Sequence, residues 1–83
     1  MSVYNKILSS VLSGKQDSNI NFKDLQNLIK SLGFKERIKG DHFIYKHDKY
    51  IERIVIQPNG NKAKPYQVKQ VRQIIMKYHL GGE

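Results

Sequence analysis

The sequence predicts an α+β domain in which two helices pack on one face of a three-stranded antiparallel meander, with one further helix in front. Three observations predict it. Apolar residues recur at helical spacing towards both ends of the chain. From Phe34 the period changes to two. A Gly-Asp pair at positions 40–41 separates two alternating runs, as a two-residue hairpin turn does. A chain of 83 residues makes one domain with one small core.

The first helix is expected over about residues 3–13. Val3, Ile7, Leu8, Val11 and Leu12 share its apolar spacing, and Ser13 and Gly14 end it. "GKQDSN" reads as a short polar linker, so residues 1–18 form a helical extension that either packs on the domain or stands off as an arm. The second helix has clearer punctuation. Asn21 is its N-cap and Asp24 lies near the positive end of its dipole. Phe22, Leu25, Leu28, Ile29 and Leu32 form one stripe. Gly33 supplies the left-handed stop, and Phe34 folds back over the last turn.

"FKERIK" places Phe34, Glu36 and Ile38 on one face of the first strand and Lys35, Arg37 and Lys39 on the other. "HFIYKH" is the second strand, with apolar groups on both faces, so its buried face stays open. "IERIVIQ" is the third, rich in β-branched residues. "PNGNKAK" reads as a loop. Pro65 opens the last helix, where its missing N–H costs nothing, and Val68, Val71, Ile74, Ile75 and Tyr78 form the inward stripe. Without the first helix the order is α-β-β-β-α, the layout of a double-stranded-RNA-binding domain.

Composition narrows the chemistry. No cysteine is present, which excludes disulfides, thiol nucleophiles and cysteine-based zinc sites. The N-terminus lacks the continuous apolar core of a signal peptide, and no stretch is long enough to span a membrane. The expectation is a cytoplasmic protein. Fifteen basic residues against seven acidic ones give a net charge of +8, a field that favours polyanions. The bases cluster: Lys35, Arg37 and Lys39 on one strand face, Lys46 on the next strand, Lys62 and Lys64 in the loop, Lys69 and Arg72 on the last helix. A solvated basic face with no nucleic-acid role is the bland alternative.

"KGDHFIYKH" carries two of the three histidines. His42 follows a tight turn and starts a strand, with Lys39 and Lys46 near it in sequence and Arg37 across the hairpin. Nearby positive charge favours a neutral imidazole, which can accept a proton. In RNA cleavage a base takes the 2′-OH proton, that oxygen attacks the neighbouring phosphate, and cations hold the developing charge. A packed strand histidine with no chemistry is the alternative, and on pattern alone it is the commoner case. Asp41 can orient the His42 ring or act as an ordinary turn aspartate. His47 lies five residues on, so strand parity sends it to the opposite face and argues against a joint metal site. His79 sits at a helix C-terminus, where a positive charge is favoured. No phosphate-binding glycine loop, dinucleotide fingerprint or metal cluster occurs, so no cofactor or metal is expected.

Two stretches, "FKDLQNLIKSLGFKERIKGDHFIYKH" and "VIQPNGNKAKPYQVKQVRQII", together resemble the HicA family of toxins from type II toxin–antitoxin systems over about residues 20–80. The helix ending in "LGF", the "KGxH" turn before an aromatic strand, the "GNK" loop and the closing helix carry the likeness. The resemblance implies a double-stranded-RNA-binding-like fold and an endoribonuclease (an mRNA interferase) that arrests growth by blocking translation. It places the family's catalytic histidine on His42 and its motif glycine on Gly40. Asp41 stands where the family usually has serine, and Phe43 where many members have a second histidine. It implies mRNA as substrate, no metal requirement, and a HicB-type antitoxin that covers the catalytic surface. Residues 19–83 are then the RNA-binding and cleavage domain, with His42 as general base or acid. Two other function classes compete: a non-catalytic RNA-binding module of the same fold, and an interaction protein whose basic surface serves an acidic partner.

Overall fold

Apolar spacing becomes packing in three helices and a small sheet. The computed structural model describes residues 3–80, with side chains from Lys6 onward. Helix α1 spans Val3–Ser13, α2 Phe22–Ser31 and α3 Pro65–Tyr78. Strands β1 (Lys35–Lys39), β2 (His42–Lys46) and β3 (Ile54–Ile56) form an antiparallel sheet in the order β1-β2-β3. A second, two-stranded hairpin pairs β4 (Pro58–Asn59) with β5 (Lys62–Ala63). From α2 onward the main order is α-β-β-β-α, that of a double-stranded-RNA-binding domain. No helix among the described residues is long and apolar enough to cross a membrane.

Helix α2 starts where its sequence says. The Asn21 side chain accepts from Asp24 N at 3.3 Å, which satisfies one of the amides that a helix start leaves without partners. Gly33 ends it with φ +98. A Cβ there would also lie 2.9 Å from His47 Nε2, so glycine answers both a backbone and a space demand. Phe34, 4% exposed, folds back under the helix as expected.

The sheet buries the face that carries Phe43, Tyr45, Ile54 and Ile56 against α2 and α3, with Leu25, Leu28, Ile29, Val68, Val71 and Ile75 opposite. This resolves the two-sided second strand: Tyr45 is fully buried, while Ile44 faces outward and is half-buried. The buried Tyr45 hydroxyl donates to Glu36 Oε2 at 2.6 Å. Burial, followed by that hydrogen bond, pushes the phenol well above its usual range, so it stays a neutral donor. Gln26 and Lys30 close around the same carboxylate.

Three expectations need correction. "PNGNKAK" is not a plain loop: β4 and β5 form a hairpin about Gly60, φ +64. It is sewn to the segment before α2 by Phe22 N→Asn61 O (2.9 Å) and Ala63 N→Ile20 O (2.8 Å). The third strand is shorter than "IERIVIQ". Tyr50 leaves the sheet to stack on Tyr78, with ring centroids 4.1 Å apart, and Glu52 accepts from Lys77 and Tyr78 of α3, so pairing with β2 begins only at Ile54. Leu12 is 40% exposed and leaves the inward stripe of α1, which among the described side chains is Ile7, Leu8 and Val11; the side chain of Val3, also expected there, lies outside them.

Helix α1 is docked against α2 and α3. Leu8 and Val11 enter the common core. The "linker" folds into a 3₁₀ turn at Asp17–Asn19, from which Asp17 grips Arg72 of α3 through two hydrogen bonds of 2.9 and 3.2 Å. Arg72 also donates to Val11 O at 3.1 Å, so one guanidinium ties α1, the turn and α3 together.

Asp17→Ala leaves that guanidinium without its carboxylate while it stays only 15% exposed. A cost of about 2 kcal/mol is expected, a fall in Tm of roughly 8–16 °C, read by calorimetry. A second prediction concerns acid. Hydrogen bonds from Lys77 and then Tyr78 hold Glu52 down at about 2 from an ordinary 4.5. A carboxylate depressed in the fold stabilises it above its ordinary value, and that stabilisation is lost as pH falls from 4.5 towards 2. Glu52→Gln should flatten the Tm-versus-pH curve in that window and leave its slope above pH 6 unchanged.

Candidate functional site

Strand parity decides what the open face of the sheet carries. Burial of Phe43 and Tyr45 turns His42, Ile44 and Lys46 outward. The register Lys35↔Lys46, Arg37↔Ile44, Lys39↔His42 sets the three bases of β1 beside them. Ile44↔Val55 adds β3 on the same face, and alternation puts Arg53 and Gln57 at its two ends. Arg37, Ile38, Lys39, Ile44, Lys46 and Arg53 line one shallow groove. The result is a groove with Ile44 on its floor and cations around it, with Val55 beside Ile44 and His42 beside Lys39 by register. Lys35 is offset by an exposed ion pair with Asp48 at 3.3 Å, which is worth little in water.

His42 is presented by the hairpin turn. Gly40 takes φ +62 as the turn's positive-φ residue, the pattern of a type II′ connection, which suits the twist of the strands it joins. No atom lies within 4 Å of where its Cβ would be, so backbone conformation alone calls for glycine there. The imidazole is half exposed, and its Nδ1 lies 3.1 Å from Asp41 Oδ1. The other Asp41 oxygen accepts from Gln57 Nε2 at 3.3 Å, and Gln57 Oε1 accepts from Lys64 Nζ at 3.4 Å. Asp41 therefore touches the ring it precedes.

The other histidines have different surroundings. His47 falls on the opposite face from His42, as parity predicts. It packs against Phe34 and Tyr50, with centroids 4.9 and 4.4 Å away, and its Nδ1 accepts from Lys49 N. His79 caps α3 in the left-handed conformation, φ 54. Among the described residues, no three His, Asp or Glu side chains gather as a metal site.

Of the basic residues singled out from sequence, Lys35, Arg37, Lys39 and Lys46 come together on the open face. Lys64 joins the edge of the site through Gln57. Lys62 does not reach it: its Nζ donates to Asn19 Oδ1 at 2.7 Å, next to the start of α2. Arg72 is held by Asp17 within the helical layer, and Lys69 is exposed on α3. Sequence reasoning missed Arg53 and Gln57. Alternation within "IERIVIQ" would have placed both on the face of His42. Gln67 was missed too, and no periodic signal marks it. It is a buried polar residue, 1% exposed; with its amide assigned the orientation that satisfies both ends, its nitrogen donates to Gln57 O (3.1 Å) and its oxygen accepts from Gln57 N (2.9 Å).

The family described as HicA toxin of bacterial toxin-antitoxin matches residues 22–77, which run from the first residue of α2 to the last turn of α3. No curated protein and no solved structure matches the chain. The matched span contains the sheet, the hairpin turn and His42, and it leaves out α1 and the Asp17 turn. Family membership implies an antitoxin partner. The chain belongs to the HicA toxin family of bacterial toxin–antitoxin systems.

Proposed function

We propose that this toxin is a metal-independent mRNA interferase in which the open sheet face binds the RNA backbone and His42 performs the proton transfer. One observation carries the reading: a half-exposed histidine, its Nδ1 against a carboxylate, stands at the edge of a groove lined by Arg37, Lys39, Lys46 and Arg53. The groove supplies phosphate contacts, and its apolar floor offers a surface for an unstacked base. His42 Nε2 takes the 2′-OH proton. The 2′ oxygen then attacks the adjacent phosphorus, and the bond from phosphorus to O5′ breaks. O5′ leaves with a proton drawn from solvent, and the products are a 2′,3′-cyclic phosphate and a 5′-hydroxyl end. Cations of the groove stabilise the charge on the pentacoordinate phosphorus. Cutting mRNA in the cytoplasm blocks translation and arrests growth. The partner is a HicB-type antitoxin, whose acidic groups complement the same basic face and cover His42.

His42→Ala should lower cleavage of purified mRNA by on the order of 10²–10⁴-fold in chelator-containing buffer, with the circular dichroism spectrum and Tm unchanged. Wild-type cleavage by that variant would remove His42 from the chemistry. RNA binding without products by the unaltered chain would favour the non-catalytic module. A second measurement addresses the surface. Arg37→Glu combined with Arg53→Glu should weaken RNA binding across unrelated sequences. The slope of log affinity against log salt should fall by about one for each phosphate that is no longer neutralised. An unchanged slope would move the RNA to another face.

A further inference from the structure

We infer that Gln57, anchored by the buried Gln67, is the positioning residue for His42, holding Asp41 against Nδ1 so that the ring keeps one tautomer with Nε2 free for substrate. The inference rests on the reading of His42 as the proton-transfer group and adds what orients it. An exposed aspartate beside an exposed histidine does not hold a ring by itself, because both side chains have rotamers open to water. Here the aspartate has a second contact. The register Phe43↔Ile56 brings Gln57, the next residue along β3, opposite His42. Its amide nitrogen donates to Asp41 Oδ2 at 3.3 Å while Asp41 Oδ1 sits 3.1 Å from Nδ1. Swinging the carboxylate away from the ring would cost it the Gln57 hydrogen bond.

The Gln57 amide is itself polarised in one direction. Its oxygen faces the Lys64 ammonium at 3.4 Å. Rotating the amide by half a turn would set oxygen against carboxylate and NH₂ against ammonium, unfavourable at both ends. Its backbone is equally fixed. Gln67 spans Gln57 N and O with bonds of 2.9 and 3.1 Å from a side chain that is 1% exposed, where an unpaired amide would be costly. The chain of contacts runs from the core of α3, through Gln67 and Gln57, to Asp41 and the imidazole. Lys39 is a charged group opposite the ring on the neighbouring strand. As a donor it gives an Nδ1 proton nothing to bond, so the tautomer is set from the Asp41 side.

The test is nitrogen NMR of ¹⁵N-histidine-labelled full-length protein with the rings neutral, with His42 assigned by its loss in His42→Ala. In the wild type, His42 Nδ1 should carry the proton and Nε2 should show the shift of a bare ring nitrogen. Gln57→Met keeps the backbone clamp and removes the amide. It should move His42 towards the Nε2–H form that an unrestrained histidine favours. It should also lower kcat for RNA cleavage by about 10- to 100-fold with KM held. Asp41→Ala should do the same. A Gln57→Met spectrum identical to the wild type overturns the positioning role. So does an Nε2–H tautomer in the unaltered protein. If His42→Ala cleaves RNA normally, the catalytic reading fails while the spectra still decide whether Gln57 orients the ring. Gln57→Met alters no fully buried side chain, so it should fold as the wild type does, which circular dichroism checks.

Discussion

Burial of one face of β2 is the constraint on which the site depends. A strand has a side-chain period of two, so placing Phe43 and Tyr45 in the core fixes His42, Ile44 and Lys46 outside in the same stroke. Tyr45 fixes the register as well as the face. Its hydroxyl is buried and must be paired, and Glu36 lies directly across β1 to pair it. A slip of one residue would turn Phe43 and Tyr45 to solvent together and part that hydroxyl from Glu36. The geometry around His42 is thus set by apolar and hydrogen-bonding demands on the buried side of the sheet.

The distribution of acids explains why the open face stays basic. Among the described residues, each acid has a local task. Asp17 holds Arg72, Asp24 sits in the first turn of α2, and Glu36 receives Tyr45. Glu52 ties the chain before β3 to α3, and Asp41 is taken up by His42 and Gln57. Asp48, at the rim of the open face, is paired with Lys35. Arg37, Lys39, Lys46 and Arg53 are left to set its potential. A net charge of +8 would by itself say only that polyanions are attracted. Internal pairing of the acids is what localises that attraction beside His42.

Much of this was legible in the chain. The N-cap at Asn21, the stop at Gly33, the proline at the start of α3 and the alternation around Arg37 all act locally, so each left a local mark. The separation of His42 from His47 was likewise a matter of counting. The buried face of β2 was not legible, because Ile44 suits a core as well as Phe43 does, and only the helices opposite choose between them. The shortening of β3 depends on Tyr50 finding Tyr78 across the fold. The β4–β5 hairpin is too short to show a period and is held by backbone bonds to Ile20 and Phe22. Arg72 has the sequence surroundings of a surface base, and only the fold brings Asp17 alongside it. Gln67 gave no hint, since a glutamine in a helix is ordinarily a solvated residue.

The β1–β2 hairpin has a mechanical character that follows from its two ends. At one end His47 is wedged beneath Gly33 and between Phe34 and Tyr50, so the base of the hairpin is fixed to the end of α2. At the other end the turn is caught by Gln57, whose backbone is bolted to α3 through Gln67. A beam supported at both ends bends far less than one supported at a single end. On the proposed function, an RNA strand settling on the open face meets a surface that is already shaped and stiff. Little ordering then remains for the protein at the moment of contact, which leaves the RNA to do the adapting.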